Sequence, residues 1–376
     1  MASICFVAGD PSGDAHAGHL ATALRARRPD LVMTGLGGPA MRQAGVELLD
    51  ELTRAAAIGP FDAARHARHL IRARHRLEDH LRTAHPQLVV LVDFGDFNLP
   101  VIAPLVKRYG VPILYYISPQ IWAWGRFRLR YVRRYVDRMC VFFRFEEALY
   151  RREGVPVTWV GHPLIDAARP TLGPEDARRR FGLNPWRMTL GVLPGSREGE
   201  VRRHLPIMLE AVRLVSWQMP GVQSVLLKAP GVPPNAFARA ARGRLELQIA
   251  DGSPYELLPL LDAAIVSSGT ATLEAALFDV PMAVVYRTSW PTYLAARTVL
   301  RIPHIAMVNV IAQRQVVPEF IQHRAKPELI AASIVELLRQ PERRALMQTD
   351  LRQVAKTLGP SGAVERAADV ALAMLR

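Results

Sequence analysis

The chain has 376 residues, of which 50% are hydrophobic and 22% are charged. This length suits two domains of about 150–200 residues each, and the composition excludes an intrinsically disordered protein. An excess of Lys and Arg (48) over Asp and Glu (34) gives a net charge of +14, which favours polyanions such as nucleic acid, anionic lipid or phosphorylated substrates as partners.

The two cysteines cannot form a disulfide framework or a four-cysteine zinc site. Cys5 and Cys140 both lie in apolar runs, which predicts buried, reduced thiols. The first segment, MASICFVAGD, lacks the basic start of a signal peptide, and no apolar run approaches the roughly 20 residues that span a bilayer. We therefore expect a cytoplasmic protein, or one bound to a membrane surface.

The first half of the chain is predicted to alternate strands and helices. Strands are predicted at ICFVAG, LVMTGLGGP, LVVLVDFGDF, VPILYYIS, RMCVFF and VTWVGHP, with a helix after the first of them and a basic helix over residues 62–83. Continuous apolar strands separated by helices indicate a parallel sheet that helices cover on both faces.

The same pattern restarts after a proline-marked stretch from Pro163 to Pro185. Strands are predicted at MTLGVLPGS, QSVLLKAP, LELQIA, AAIVSS and PMAVVYR, and helices at VRRHLPIMLEAVRLVSWQ, at ATLEAALF and throughout the residues from Lys326 onward. The sequence therefore predicts an α/β protein of two successive units joined near residue 165. Doubly wound units bind ligands at the carboxyl ends of their strands.

The motif GDPSGD follows the first predicted strand. Its glycines allow a ligand to approach the backbone closely, and the next helix offers its positive N-terminal end, so Ser12, Gly13 and Asp14 are candidate ligand contacts. The alternative is a tight turn in which Ser12 or Asp14 caps the helix. Because the motif is not GxGxxG, it does not imply a dinucleotide.

The motif VDFGDFN places Asp93, Asp96 and Asn98 at the carboxyl end of a strand. Two carboxylates three residues apart can supply a general base and an orienting acid. The alternative is that these residues cap a helix. A metal site is disfavoured because the motif has no DxD pair and no neighbouring His.

The segment SPQIWAWGRFRLRYVRRYVDR, residues 118–138, combines aromatic and basic residues. Trp122 and Trp124 could stack on a sugar or lie at a membrane interface. Five arginines could contact lipid phosphates: Arg126, Arg128, Arg130, Arg133 and Arg134. Core tryptophans beside a solvated basic helix, and an RNA-binding segment, are open alternatives.

The motif LPGSREGEV follows the first strand of the second half. Gly195 and Ser196 form a turn at a helix start, and Arg197 offers a planar fork of donors to a diphosphate leaving group. The alternative is a capped turn with a surface Arg.

The motif SSGTATLEAAL repeats this arrangement after a later strand. Ser268, Gly269 and Thr270 form a turn whose free amides suit a phosphate, and Glu274 lies one helical turn further, where it could accept ribose hydroxyls. Alone the motif could be an ordinary helix cap. With LPGSREGEV in the same half, a nucleotide-diphosphate pocket is the better interpretation.

The motif VNVIAQRQVVPEFIQ, residues 308–322, sets polar residues among apolar ones. These residues are Asn309, Gln313, Arg314, Glu319 and Gln322. From the pattern alone we expect a loop and an amphipathic helix.

Taken together, these residues resemble the lipid-A-disaccharide synthase family. The family's order is matched along nearly the whole chain by AGDPSGD, GLGGPAM, DFGDFNLP, YYISPQIWAW, VGHPLID, LPGSREGEV, SSGTATLEAAL, PMAVVYR and VNVIAQRQVVPEFIQ. The resemblance implies the GT-B fold, in which two Rossmann-like domains present parallel sheets across a cleft.

The resemblance also implies the reaction and its partners. It implies an inverting transfer of 2,3-diacylglucosamine from UDP-2,3-diacylglucosamine to the 6-hydroxyl of 2,3-diacylglucosamine 1-phosphate, without a metal or other cofactor. It further implies peripheral contact with an anionic membrane at the cytoplasmic face of the inner membrane, and no nucleic-acid partner.

By the same resemblance, residues 1–165 bind the acceptor and lipid, residues 166–354 bind the UDP-sugar, and a last helix near 355–376 packs back on the first domain. Asp93 is implied as the general base, Arg197 as the cation for departing UDP, and Asn309 as a further catalytic position. The implied nucleotide-sugar contacts are Gly195, Ser196, Arg197, Ser268, Gly269, Thr270 and Glu274. The residues implied to bind the acceptor or to line other parts of the cleft are Ser12, Gly13, Asp14, Asp96, Asn98, Ser118, Trp122, Trp124 and Gln313.

Four positions depart from the family pattern. Asp10-Pro11 replaces a usual Glu-Ala, Gln120-Ile121 replaces Ser-Val, and Gln313 replaces a usual Gly. A fourth departure, Pro60-Phe61-Asp62 followed by a His/Arg-rich helix, stands where the family has an apolar, membrane-touching helix. The residues also leave open another UDP-sugar transferase of this fold, a UDP-sugar epimerase, and a basic non-enzymatic protein that binds nucleic acid or a lipid surface.

Overall fold

A computed structural model describes residues 2–53, 63–123, 125–229, 232–237, 247–299 and 303–375. The chain divides into two compact units, one formed by Met1–Pro163 with Gly359–Arg376 and the other by Leu164–Leu358. Within the described ranges, no helix combines the length and the apolar character needed to cross a bilayer.

The first unit is built on a parallel sheet. Its strands are β1 (Ser3–Ala8), β2 (Val32–Gly37), β3 (Glu47–Glu51), β4 (Leu88–Val92), β5 (Ile113–Tyr116), β6 (Arg138–Val141) and β7 (Val157–Trp159). Their order across the sheet is β3-β2-β1-β4-β5-β6-β7, and every pairing is parallel.

Helices cover both faces of this sheet. They are α1 (Pro11–Arg27), α2 (Pro39–Gln43), α3 (Ala63–Ala84), α4 (Gly95–Phe97), a π-helical turn (Asn98–Ile102), α5 (Ala103–Arg108), a 3₁₀ turn (Arg126–Arg128), α6 (Leu129–Tyr135) and α7 (Arg144–Arg152). Alternate residues of β1 enter different cores: Cys5 and Val7 pack on the side of α3, whereas Ile4 and Phe6 pack on the side of α1. This two-sided burial explains why the strands are apolar without alternation.

The C-terminal helix, α17 (Ala363–Ala373), belongs to the first unit. Its alanines, including Ala367 and Ala371, lie in the same core as Leu20 and Leu24 of α1. The Arg366 Nε donates to the Val160 carbonyl over 2.8 Å. Small side chains on one face let this helix lie close to α1.

The second unit repeats the architecture. Its strands are β8 (Thr189–Leu193), β9 (Gln223–Lys228), β10 (Leu247–Asp251), β11 (Ala263–Ser267), β12 (Met282–Tyr286) and β13 (Glu319–Ile321), in the parallel order β10-β9-β8-β11-β12-β13. Its helices are α8 (Leu164–Ala167), α9 (Pro174–Phe181), α10 (Glu198–Gln218), α11 (Pro254–Leu257), α12 (Ala271–Leu277), α13 (Trp290–Val299), α14 (Met307–Ala312), α15 (Pro327–Arg339) and α16 (Pro341–Thr357), with 3₁₀ turns at Pro234–Phe237, Leu258–Leu260 and Gln322–Arg324.

The predicted α/β class with two parallel sheets is confirmed. Two edge strands, β3 and β13, were not predicted. β3 is polar and only partly buried, and β13 has three residues within the segment expected to hold only a loop and a helix. Edge strands bury one side only, so their sequences lack the continuous apolar run that marks the central strands.

Candidate functional site

A cavity of about 330 Å³ opens at the carboxyl edge of the first sheet. The loops that follow β1, β4, β5 and β6 supply its walls. Its lining includes Asp10, Asp93, Phe94, Asp96, Ser118, Trp122, Arg128, Phe142, Phe143 and Glu146. Parallel strands bring their carboxyl ends to one edge, which is why distant motifs meet here.

Asp93 follows β4 in an unusual backbone conformation. It and Phe94 adopt left-handed φ angles of 43° and 46°, which are costly for residues with side chains. The Asp93 carbonyl accepts hydrogen bonds from the Tyr115 hydroxyl at 2.5 Å and from the Asn98 Nδ2 at 2.9 Å. Gly9 leaves room for the turn, because a Cβ at Gly9 would lie 2.1 Å from the Phe94 ring. Buried partners therefore hold Asp93 in place.

The electrostatics of the cavity favour a protonatable carboxyl at Asp93. Burial raises its pKa from 3.8 to about 6, with a further contribution from Asp10, while a hydrogen bond from the Phe94 amide opposes the rise. The Asp10 Oδ1 accepts from the Gly13 amide at 2.8 Å and so caps α1. A base whose pKa lies near neutrality suits proton abstraction from a hydroxyl.

Arg128 supplies positive charge to the same wall. Its side chain is buried and forms an ion pair with the exposed Asp96. The expectation that Arg128 faces lipid is therefore wrong, since the 3₁₀ turn directs it inward to Asp96. The side chain of Arg126 lies outside the described residues, as does Trp124.

Glu146 was not singled out from the sequence, yet it lines the cavity. It is only 3% exposed, and its Oε1 accepts from the Trp122 Nε1 at 3.2 Å while its Oε2 accepts from the Phe143 amide at 3.3 Å. Burial raises its pKa to about 7, although these donors oppose the rise. The usual sequence signal, a capping box with Ser or Thr three residues before the Glu, is absent because Phe143 stands at that position.

Several predicted acceptor-side residues hold the backbone instead of lining this cavity. The buried Asp14 carboxylate accepts from the amides of Gly38 at 2.7 Å and Ala40 at 2.9 Å, at the start of α2. Asn98 is fully buried behind Asp93. Ser12 and Gly13 lie in the first turn of α1 and are not among the residues that line the cavity. Asp93, Asp96, Ser118 and Trp122 do line it.

In the second unit, the LPGSREGEV turn connects β8 to α10. Gly195 has a φ of 123°, and a Cβ there would lie 2.7 Å from the Glu200 Oε2, so the turn needs glycine. Arg197 is the N-cap residue of α10, and its side chain is 82% exposed with an ion pair to Glu200 at 3.3 Å. The turn thus presents a solvent-facing guanidinium beside the positive end of a 21-residue helix.

The SSGTATLEAAL turn connects β11, the neighbour of β8, to α12. The Ser268 Oγ donates to the Ile305 carbonyl at 2.9 Å, and Thr270 is the N-cap residue of α12. Burial raises the pKa of Glu274, whose Oε1 accepts from the Tyr255 hydroxyl at 3.2 Å. The two predicted nucleotide motifs therefore lie on adjacent strand ends.

Asn309 is fully buried, and both of its polar atoms are engaged. Its Oδ1 accepts from the amides of Val316 and Val317, and its Nδ2 donates to the Glu319 Oε1 at 2.8 Å. Gln313 ends α14 with a left-handed φ of 54°, the conformation that a Gly would adopt at lower cost. Asn309 therefore fixes the loop between α14 and β13.

His204 is a second residue that the sequence did not signal, since a lone His in a helix carries no pattern. Its buried ring bridges two loops, with Nδ1 3.1 Å from the Pro194 carbonyl and Nε2 accepting from the Arg287 amide at 3.0 Å. Burial lowers its pKa below 6.5. The neutral ring ties the loop after β8 to the loop after β12.

A family model and the relatives most similar in sequence indicate one family. The family model described as "Lipid-A-disaccharide synthetase" matches residues 4–374. A lipid-A-disaccharide synthase of Syntrophus aciditrophicus (strain SB) is 41% identical over 99% of this chain and 98% of its own length.

Solved structures show the same fold. A calicheamicin glycosyltransferase has a TM-score of 0.64 at 18% identity, with 100% of this chain and 98% of that chain covered. A UDP-GlcNAc 2-epimerase from Neisseria meningitidis, bound to UDP-GlcNAc, has a TM-score of 0.63 at 12% identity, with 99% and 100% covered. Given the match along nearly its whole length, the chain belongs to the lipid-A-disaccharide synthetase family and is a glycosyltransferase of the GT-B fold class.

Proposed function

We propose that this enzyme transfers 2,3-diacylglucosamine from UDP to the 6-hydroxyl of 2,3-diacylglucosamine 1-phosphate. The observation that carries the proposal is Asp93, a constrained carboxyl at a strand end whose pKa of about 6 suits a general base. Family membership supplies the substrate class, and the cavity around Asp93 supplies a site for the acceptor.

In the proposed reaction, Asp93 takes the proton of the acceptor 6-hydroxyl. The oxygen attacks the anomeric carbon while the bond to UDP breaks, so the configuration at that carbon inverts. Arg197 and the N-terminal end of α10 neutralise charge on the departing diphosphate. Direct displacement requires no covalent intermediate on the protein.

The acceptor is proposed to bind the first unit. Aromatic residues of its cavity, including Trp122, suit the apolar face of a sugar ring, and Ser118 contributes to the same wall. Arg128 suits the single phosphate of the acceptor. Asp10 and Asp96, the other two aspartates in the cavity, are the alternative bases.

The UDP-sugar is proposed to bind the second unit through two turns. These turns supply Gly195, Ser196, Arg197, Ser268, Gly269, Thr270 and Glu274. The epimerase neighbour bound to UDP-GlcNAc has the same fold, which supports this ligand class. Asn309 and Gln313 are proposed to act through the shape of the loop that follows α14.

We also propose peripheral contact with anionic lipid at the cytoplasmic face of the inner membrane, and no nucleic-acid partner. The net charge of +14 supports this contact, as do the exposed side chains of Phe127, Arg130 and Arg134. Sedimentation with anionic vesicles should exceed sedimentation with neutral vesicles and should fall with added salt. Equal binding to both vesicle types would contradict the contact.

The test of function is UDP release from UDP-2,3-diacylglucosamine, with and without 2,3-diacylglucosamine 1-phosphate. We expect release and disaccharide formation only with the acceptor, and loss of both in Asp93→Ala. Release without acceptor would indicate a hydrolase, and a changed UDP-sugar without release would indicate an epimerase. Either result would refute the proposed transfer.

A further inference from the structure

Glu146 connects two walls of the cavity in the first unit. It lies in the first turn of α7, and its two carboxylate oxygens accept from groups on different loops. Trp122 belongs to the loop after β5, whereas Phe143 belongs to the loop after β6. One buried side chain therefore joins both loops where they border the cavity.

The burial of this carboxyl exceeds what helix capping needs. Its hydrogen-bond donors from Trp122 and Phe143 are neutral groups, an indole N–H and a peptide N–H. Burial accordingly raises the pKa of Glu146 to about 7, so ionising this carboxyl costs free energy. An exposed helix-capping Glu would not carry this cost. This cost indicates that the buried position of the Glu146 carboxyl serves the geometry of the residues around it.

The surrounding geometry is an aromatic wall. The Trp122 ring meets Phe145 edge-on with centroids 5.3 Å apart, and Phe143 stacks on Phe145 at 5.4 Å. Ser118 lines the same cavity, and its Oγ lies 2.8 Å from the Tyr150 hydroxyl. The contact to Glu146 is the polar bond that fixes the rotation of the Trp122 ring within this packing.

We propose that Glu146 is a positioning residue for acceptor binding: by joining Trp122 to Phe143, it holds the aromatic wall against which the acceptor sugar stacks. Aromatic side chains present a flat apolar face, and its orientation decides whether a pyranose ring can lie on it. The inference rests on the proposed function, because it assigns the acceptor to this cavity. It assigns Glu146 no proton transfer in the reaction.

The test compares Glu146→Gln, Trp122→Phe, their double variant and the matched control Glu147→Gln. Gln keeps the shape of Glu146 but turns its side-chain amide NH2 toward either the Trp122 Nε1 or the Phe143 amide, so one of the two bonds is lost. Phe keeps a ring at position 122 without its N–H. Glu147 pairs with Arg151 at 2.7 Å on the same helix and does not line the cavity, so its variant should behave as wild type.

We expect each single variant to raise the acceptor KM about tenfold, the effect of one lost buried hydrogen bond. The KM for the UDP-sugar and kcat should stay within about threefold of wild type. The effects of the two single variants should not add in the double variant, because Trp122→Phe already removes the bond that joins position 122 to Glu146. An unchanged acceptor KM, a loss confined to kcat, or additive effects would overturn the inference.

If Glu146→Gln fails to fold, Trp122→Phe decides by the same readout, because it removes the donor and leaves the carboxyl in place. If the wild type forms no disaccharide, the proposed function fails and this inference fails with it. If the wild type forms disaccharide and both variants bind acceptor normally, the inference alone fails.

Discussion

Asp93→Asn is expected to slow transfer about 100-fold or more and, at alkaline pH, to stabilise the fold. The pKa of Asp93 rises from 3.8 to about 6 in the folded chain, and each tenfold change in proton affinity is worth about 1.4 kcal/mol. The ionised carboxylate therefore lowers the free energy of unfolding by up to about 3 kcal/mol above pH 6. Asn fits the same space and removes this charge, and its Oδ1 can still accept from the Phe94 amide.

The sign of the pH dependence follows from the raised pKa. Below 3.8 the group is protonated in both states, so it has no pH-linked effect on stability, and the loss of wild-type stability builds up as pH rises from 3.8 through about 6. The gain from Asp93→Asn should thus be largest near pH 8 and should shrink to about 1 kcal/mol near pH 4.5.

Urea denaturation of wild type and Asp93→Asn at both pH values measures the effect on stability. Asp79→Asn, a surface carboxylate 69% exposed, serves as the stability control. For activity, wild-type kcat/KM should rise with pH through about 6, and Asp93→Asn should lose about 100-fold or more. Asp96→Asn should retain the rise. An Asp93→Asn variant that is less stable at both pH values, or that keeps the rise in kcat/KM, would refute Asp93 as a strained base.

Three further changes test the second unit. Arg197→Lys keeps the charge but loses the planar fork, so kcat should fall about tenfold or more in the UDP-release assay, whereas wild-type turnover would contradict a diphosphate role. Gln313→Gly should raise the unfolding free energy by about 1 kcal/mol in urea because it relieves a left-handed φ, while Gln340→Gly, at a φ of −109°, should bring no gain. Burial lowers the pKa of His204, so wild type should lose stability as pH falls below 6.5, where the unfolded His takes up a proton. His204→Gln should lessen that loss. If the urea midpoint shifts equally with pH in wild type and in the variant, the assignment to His204 is wrong.

The central strands were predictable because their physical cause lies in local sequence. β4 and β11 are buried on both faces, so their apolar runs alone mark them. Motifs at strand ends then locate Asp93 and Arg197, since parallel strands deliver their carboxyl ends to one edge of each sheet.

The rest depends on tertiary contacts that no local pattern records. Asp14 and Asn98 are of residue types that often contact ligands, yet both bind backbone groups here. Asp14 accepts from the amide of Gly38, which is distant in sequence, and Asn98 donates to the carbonyl of Asp93 in the preceding turn. Glu146 resembles an ordinary first-turn acid until the fold buries it beside Trp122. Left-handed conformations at Asp93 and Phe94 are equally hidden, because the residues that enforce them lie on other elements.

Asp93 and Arg197 lie in opposite environments, one buried and one exposed, and the proposed chemistry explains the difference. Deprotonating a hydroxyl needs a base whose proton affinity lies near neutrality, so Asp93 is held where ionisation costs stability. A departing diphosphate needs only a fixed cation, so Arg197 stays exposed while the neutral His204 and Asn309 immobilise nearby loops. Mild acid should therefore protonate Asp93 as pH falls through about 6, and kcat/KM in the UDP-release assay should fall with it.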